Sequence, residues 1–400
     1  MTSNLQLPII DMAPYLTPAA TPEQVAARKA VSGALHDACL RFGFFYLDIS
    51  TYVDPLVPDE LAALARDFFH LPQEVKDRIS LTKQDNARGP SLSQASLRVQ
   101  PTRFTYLQDT SASKRTLRTE RRADNHEGLD FYRPVEQPDR ARPLWGENQY
   151  PPDSDVPGFR AKYELWVEKM KILGLIERFC SSIWHVIDAL VMAIGLGLTS
   201  EEWQELRAQV DDSFWVMRAI GYPPLPDDHD GFSCGAHKDY GCLTFLYADP
   251  TPSALQVFLQ QPGAVADAAP LAGLPVEQWD AEGVWINADP IPGCVVCNIG
   301  EMWEIWSAGL YKSTLHRVIH RSSNYRVSIP FFFEPNFDAM IKPLAAAKRI
   351  RGDTAPEPEP VSYGEISLSN LICSLTRSTG AFLMKKVGNN FTTGKGKYDS

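Results

Sequence analysis

Residues 235–249 read GAHKDYGCLTFLYAD, which puts a histidine and an aspartate two positions apart beside a β-like run. On a strand, residues i and i+2 project to the same face, so His237 and Asp239 can converge on one point. An imidazole and a carboxylate offer a metal one borderline and one hard donor. A second imidazole would complete a 2-His-1-carboxylate set, which leaves coordination positions open on a divalent metal. A His-x-Asp triplet arises easily by chance in a chain with eight histidines, so its meaning rests on what surrounds it.

The surroundings are those of an ordinary globular protein. The chain has 400 residues, 44% hydrophobic and 22% charged, enough for one large catalytic domain with elaborations or for two domains. A net charge of -10 and a pI near 5.4 argue against a general binder of nucleic acid or acidic membranes. The seven cysteines are scattered and odd in number, unlike a secreted disulfide framework. Cys294 and Cys297 have the spacing of a redox or zinc pair. They lie, however, in the apolar run PGCVVCNIGE with no second pair or nearby histidine, and a core strand is expected there. The opening MTSNLQLPIIDMAPYL lacks a basic segment followed by a long apolar one, and no uncharged apolar stretch reaches membrane-spanning length. The expectation is a cytoplasmic protein acting on a small molecule, with no nucleic-acid or membrane partner and an oligomeric state the sequence leaves open.

Along the chain, LPIIDMAPYL reads as a short strand and a Pro-limited turn. Residues 22–40 have helical spacing, with Thr21 as N-cap and Pro22 just inside. GFFYLDI at 43–49 is β-like, and a second helix over 58–70 should stop before Leu71-Pro72, where the residue preceding proline is pushed out of the α region. Residues 90–122 are rich in Ser, Thr and Arg and strongly basic. This stretch reads as a solvated, mobile insert, as a basic partner-binding arm, or as sequence foreign to the folded domain. Residues 158–196 suggest a long amphipathic helix or helix pair. From 213 onward, short β-rich runs alternate with Pro/Gly/Asp turns, the texture of a sandwich or barrel.

The missing second imidazole has two candidates, His316 and His320, in STLHRVIHRSSNYRVSIPFFFEPN. They are four apart, so strand alternation puts both on one face and cannot choose between them. Further on come Arg326 and Ser328, another i, i+2 pair. A guanidinium fork with a hydroxyl beside it is a good receptor for a carboxylate.

Taken together, His237-Lys238-Asp239, His316-Arg317-Val318 and Arg326-Val327-Ser328, in that order and spacing, resemble the isopenicillin N synthase-like branch of the iron(II)- and 2-oxoglutarate-dependent dioxygenases. LPIIDMAPY, RFGFFYL, FFHLPQEVKDRI, MRAIGYPP and the run IPGCVVCNIGEMWEIWSAGLYKSTLHRV extend the resemblance over most of the chain. It implies a mixed α/β protein with a predominantly β core, a double-stranded β-helix (jelly roll) preceded by a helical N-terminal region. The implied divisions are 1–157 (N-terminal region, with the insert at 90–122), 158–212 (helical support), 213–340 (catalytic jelly roll) and 341–400 (an extension packing on the core).

The resemblance also implies Fe(II) held by His237, Asp239 and His316, which leaves His320 to a supporting or surface position. The distal carboxylate of 2-oxoglutarate would sit on Arg326 and Ser328, with Tyr222 adding a hydroxyl. O2 would be the oxidant, and 2-oxoglutarate would leave as succinate while a small metabolite is hydroxylated or desaturated. Two departures stand out: Ile220 occupies a position where many relatives carry a polar residue, and residues 260–283 form an added loop. Phe131, Tyr132 and Phe332 are the candidates for the substrate pocket, Phe331 and Phe333 being read as core. Two other readings fit the same motifs: an iron oxidase of this branch that does not use 2-oxoglutarate, and a jelly-roll binding protein without catalysis.

Overall fold

The structure, a computed structural model, describes residues 7–16, 21–79, 89–92, 124–139, 144–174, 195–226, 232–259, 283–352 and 359–367. Fourteen strands lie among them. The first seven are β1 (Ile9–Asp11), β2 (Phe44–Asp48), β3 (Gly89–Leu92), β4 (Glu127–Tyr132), β5 (Val216–Tyr222), β6 (Cys234–His237) and β7 (Leu243–Ala248). The others are β8 (Leu255–Leu259), β9 (Val284–Asn287), β10 (Cys294–Ile299), β11 (His316–Val318), β12 (Arg326–Phe333), β13 (Met340–Ile341) and β14 (Val361–Ser362). An eight-stranded sheet runs β1-β2-β10-β7-β12-β5-β4-β3, and a four-stranded sheet runs β6-β11-β8-β9. Pairing is antiparallel except between β1 and β2.

Alternation along β12 explains how the layers form. Val327, Ile329, Phe331 and Phe333 are buried in the core cluster shared with the helices. Arg326, Ser328 and Phe332 point the other way, between the sheets. The same parity places Ile220 and Tyr222 of β5, Phe44 and Tyr46 of β2 and Val296 of β10 in a second cluster with Leu255, Val257, Leu259 and Val318 of the smaller sheet. Two sheets enclosing one apolar interior are the expected jelly roll.

Helices cover the outer face of the large sheet. Pro22–Arg41 begins with a Thr21/Gln24 capping box, and Leu56–Phe69 ends before Leu71-Pro72 as read from the sequence. The helix Phe159–Gly174 buries Tyr163, Trp166, Val167, Met170 and Leu173, the i, i+3, i+4, i+7 stripe of an amphipathic helix. Burying each large apolar side chain contributes about 1.5–3 kcal/mol, so docking, more than helix propensity, holds this helix in place. Residues 175–194, the rest of the expected helical stretch, lie outside the described residues, as do the loop residues 260–282 and 93–122 of the basic stretch. The start of that stretch differs from expectation: Gly89–Leu92 is a strand paired with β4, so the sheet extends into what the composition marked as insert.

Cys294 and Cys297 lie on β10 as expected, three apart and therefore on opposite faces, and no disulfide joins them. Past residue 340, the described segments rest on the core. Ala346, Ala347 and Tyr363 are buried, and the Tyr363 backbone N–H bonds the Ala339 carbonyl. No helix among the described residues is long and apolar enough to cross a membrane.

Candidate active site

His237 closes β6 and His316 opens β11, and the two face each other directly in the antiparallel register. Their ring centroids are 4.2 Å apart. Asp239 follows two residues after His237, and its Oδ1 lies 3.8 Å from His237 Nε2 and 3.7 Å from His316 Nε2. One ligand atom from each of the three residues fits within a 4.8 Å cluster. His237 Nδ1 bonds the Gly235 carbonyl at 2.8 Å and His316 Nδ1 bonds the Thr314 carbonyl at 3.1 Å. A carbonyl only accepts, so each Nδ1 carries the proton and each Nε2 is aimed at the common point.

The carboxylate is held just as firmly. Thr244 Oγ1 donates to Asp239 Oδ2 at 2.5 Å and Asn298 Nδ2 donates to the same oxygen at 2.6 Å. Oδ2 is thereby tied to strands β7 and β10 of the large sheet, and Oδ1 is left to face the imidazoles. Burial pushes the Asp239 carboxyl up, but His316, His237 and these two donors together hold it below the usual carboxylate range. Burial and the neighbouring His237 lower His316 to about 4. Burial also works against charge on His237, yet Cys234 and Asp239 outweigh it and raise this imidazole to about 10. The metal-free site therefore favours one further proton, on His237 Nε2, which a cation would displace.

The turn after Asp239 is fixed by close backbone approach. Gly300 donates its N–H to the Cys242 carbonyl at 2.8 Å, and Glu301 donates to the Asp239 carbonyl at 2.9 Å. A Cβ on Gly300 would lie 2.2 Å from the Gly241 carbonyl oxygen, a backbone atom that cannot rotate away. Gly300→Ala is expected to destabilise the protein by about 3 kcal/mol through overpacking and to weaken metal binding with it. A thermal melt with a metal titration checks this; a variant as stable as the wild type would contradict the packing argument.

Further inside the barrel, Arg326 stands opposite Tyr222 in register. It is only 1% exposed, and among the described residues its Nε and Nη1 have no hydrogen-bond partner. Its guanidinium lies 4.9 Å from the centroid of the Tyr222 ring, and the Tyr222 hydroxyl shares a hydrogen bond with the Ser328 side chain. The cavity beside it is lined by Leu246, Ala248, Thr251, Leu255 and Val296. A buried cation without a partner costs several kcal/mol, so this site is built to receive an anion. The donor set of the triad fits Fe(II), and the orphaned guanidinium fits the carboxylate of a keto-acid cosubstrate.

Other expectations sort by face. His320 is not beside the triad: regular strand ends at Val318, so alternation no longer relates it to His316. It is fully buried rather than on the surface, with Nε2 bonded to the Asn324 carbonyl at 2.7 Å. Phe331 and Phe333 are core residues, and Phe332 faces the interior between the sheets, half-buried. Tyr132 points away from its neighbour Phe131 and is half-buried, 6.3 Å ring to ring from Phe214. Phe131 requires a correction. It is fully buried on the outer face, its ring 4.3 Å from that of Tyr163 on the covering helix, so it packs the sheet and lines no pocket at the triad.

The sequence reading missed Thr244 and Asn298, and also an ion pair on the inner face, where Arg218 Nε donates to Asp130 Oδ1 at 2.7 Å. Arg218 carried a signal: it is a charged residue in an apolar strand, with the parity of Tyr222.

A jelly roll that gathers two imidazoles and a carboxylate at its mouth and buries an unpaired arginine behind them defines a non-haem oxygenase with a keto-acid cosubstrate. Comparison with known proteins places it further. A profile described as the 2OG-Fe(II) oxygenase superfamily matches residues 212–335, and one described as non-haem dioxygenase in morphine synthesis N-terminal matches residues 7–153. The homoarginine-6-hydroxylase 2-ODD-233 of Oryza sativa subsp. japonica is 32% identical over 371 residues, covering 90% of this chain and 94% of the relative. The homoarginine-6-hydroxylase 2-ODD-C23 of Glycine max is 33% identical over 375 residues, covering 91% and 96%. Among solved structures, a full-length protein of Neurospora crassa in complex with alpha-KG superposes with a TM-score of 0.68 at 22% identity, over 94% of this chain and 98% of that one. The chain belongs to the 2OG-Fe(II) oxygenase superfamily. It is a dioxygenase dependent on Fe(II) and 2-oxoglutarate, with O2 as the oxidant.

Proposed function

We propose that this enzyme hydroxylates a free amino acid with a cationic side chain, homoarginine or a close analogue. The observation that carries the reading is identity of 31–33% to four plant homoarginine-6-hydroxylases, each aligned over roughly nine tenths of this chain. In this reading His237, Asp239 and His316 hold the iron, and Arg326 and Ser328, with Tyr222 beside them, hold the distal carboxylate of 2-oxoglutarate. Fe(II) bound there with the keto acid and O2 supplies the power to insert oxygen into a C–H bond.

The protein's own contribution is geometric and electrostatic. The two Nδ1–carbonyl bonds fix the imidazole tautomers, and Thr244 and Asn298 present a single oxygen of Asp239. The Arg326 fork fixes the direction in which the keto acid extends. Apolar walls from Leu246, Leu255 and Val296 keep the charged contact dry and therefore strong.

Oxygen uptake, succinate and product mass should be followed with homoarginine, arginine and lysine, each with and without 2-oxoglutarate. The expected result is succinate formed in step with an amino acid that gains one oxygen atom. Turnover strictly independent of 2-oxoglutarate would overturn the cosubstrate assignment. Failure of every amino acid, with 2-oxoglutarate still consumed, would overturn the substrate reading.

A further inference from the structure

Resting on the amino-acid reading above, we infer that Arg218 and Asp130 form the receptor for the substrate's α-carboxylate and α-ammonium groups. Arg218 lies on β5 with the parity of Ile220 and Tyr222, so it projects into the space between the sheets. Asp130 sits directly across from it on β4. Their side chains keep 30% and 13% of their surface open, whereas Arg326 is sealed. The bond between them uses Arg218 Nε and Asp130 Oδ1. Among the described residues, the two terminal nitrogens of the arginine and the second oxygen of the aspartate make no other hydrogen bond.

That leaves a guanidinium fork beside a carboxylate oxygen, opposite charges a few ångströms apart on one inner face. An α-amino acid presents the complementary pair, a carboxylate and an ammonium on one carbon. A monocarboxylate without the amine would leave Asp130 uncompensated, and an amine without the carboxylate would leave the arginine fork empty.

The position suits the task. Arg218 lies within electrostatic reach of Tyr222, at the cosubstrate end, and of Tyr240, next to the carboxylate of the triad. It stands four residues from Tyr222, about 13 Å along the strand at the usual rise. An amino-acid head held there is separate from the Arg326 pocket and directs its side chain toward the triad. The neighbouring wall is Phe332, two strand positions past Pro330 on the same face.

The test uses full-length protein loaded with Mn(II) and 2-oxoglutarate without oxygen, titrated calorimetrically with homoarginine, its decarboxylated amine and its N-acetyl derivative. The wild type should bind the amino acid and discriminate against both analogues. Arg218→Ala should weaken amino-acid binding by at least about 30-fold and should bind the decarboxylated amine no worse than the amino acid. Asp130→Asn should lose the discrimination against N-acetylation. Since Arg218→Ala strands a buried carboxylate, the double variant Arg218→Met/Asp130→Asn is measured beside it, and retained 2-oxoglutarate affinity shows that the barrel is intact.

Amino-acid binding within threefold of wild type in both the single and the double variant would overturn the receptor while leaving the substrate class standing. A wild type that binds 2-oxoglutarate but none of the amino acids would overturn both.

Discussion

Arg326→Ala should raise the 2-oxoglutarate concentration needed for half-maximal turnover by about 100- to 1,000-fold, with Fe(II) affinity within about threefold of wild type. The size follows from burial. A guanidinium that is 1% exposed, with two nitrogens unpartnered among the described residues, faces an apolar cavity where a charge-assisted pair is not screened by water. Removing one member of such a pair costs about 2–5 kcal/mol. Arg326→Lys should recover only part of the loss, because an ammonium cannot offer two parallel donors to a carboxylate.

The separation from metal binding follows from topology. Arg326 opens β12 of the large sheet, whereas both histidines stand on the smaller sheet, and Asp239 is anchored by Thr244 and Asn298. Titrations of 2-oxoglutarate and of metal, made on the same preparation, check both halves. Equal losses in the two would mean that Arg326 supports the fold of the barrel rather than the cosubstrate.

The contrast between Arg326 and Arg218 also marks how far the chemistry was legible in the sequence. His237, Asp239, His316, Arg326 and Ser328 sit at fixed offsets, and a strand's period of two translates an offset into a shared face. No such offset names Thr244 and Asn298. They meet Asp239 from strands β7 and β10 because the large sheet folds over the smaller one, a relation between distant segments. Phe131 was misplaced because aromatic character does not say which face of a strand a residue takes, and it lies on the outer face. Alternation could not relate His320 to His316 because His320 lies beyond the end of β11. The helices were legible through caps and apolar stripes, and the strands through β-branched runs between turns. The family resemblance implied a jelly roll but no pairing order of the sheets, since alternation gives each strand two faces but no neighbours.

Replacing the triad residues one at a time should separate metal binding from folding. Structural zinc sites gain about 10–16 kcal/mol from four ligands, roughly 3 kcal/mol each, so losing one ligand should cost at least about 100-fold in affinity. His316→Ala is therefore expected to bring turnover to background and Fe(II) or Mn(II) affinity down by that factor. The melting temperature of the metal-free protein should move little, because among the described residues His316 makes one side-chain hydrogen bond, to the Thr314 carbonyl, and its strand is held by pairing with β6 and β8.

Asp239→Ala removes a ligand and also orphans Thr244 Oγ1 and Asn298 Nδ2, which belong to buried residues. Each stranded donor costs about 1–3 kcal/mol, so this variant should melt well below His316→Ala even without metal. Asp239→Asn supplies the decisive comparison. Its amide oxygen still accepts from Thr244 and Asn298, but the anion is gone. The metal-free protein should stay near wild-type stability, and metal affinity should fall as far as in His316→Ala. If Asp239→Asn instead melts as low as Asp239→Ala, the carboxylate serves the apo fold through its charge, and the division between one oxygen for the sheet and one for the metal would be wrong.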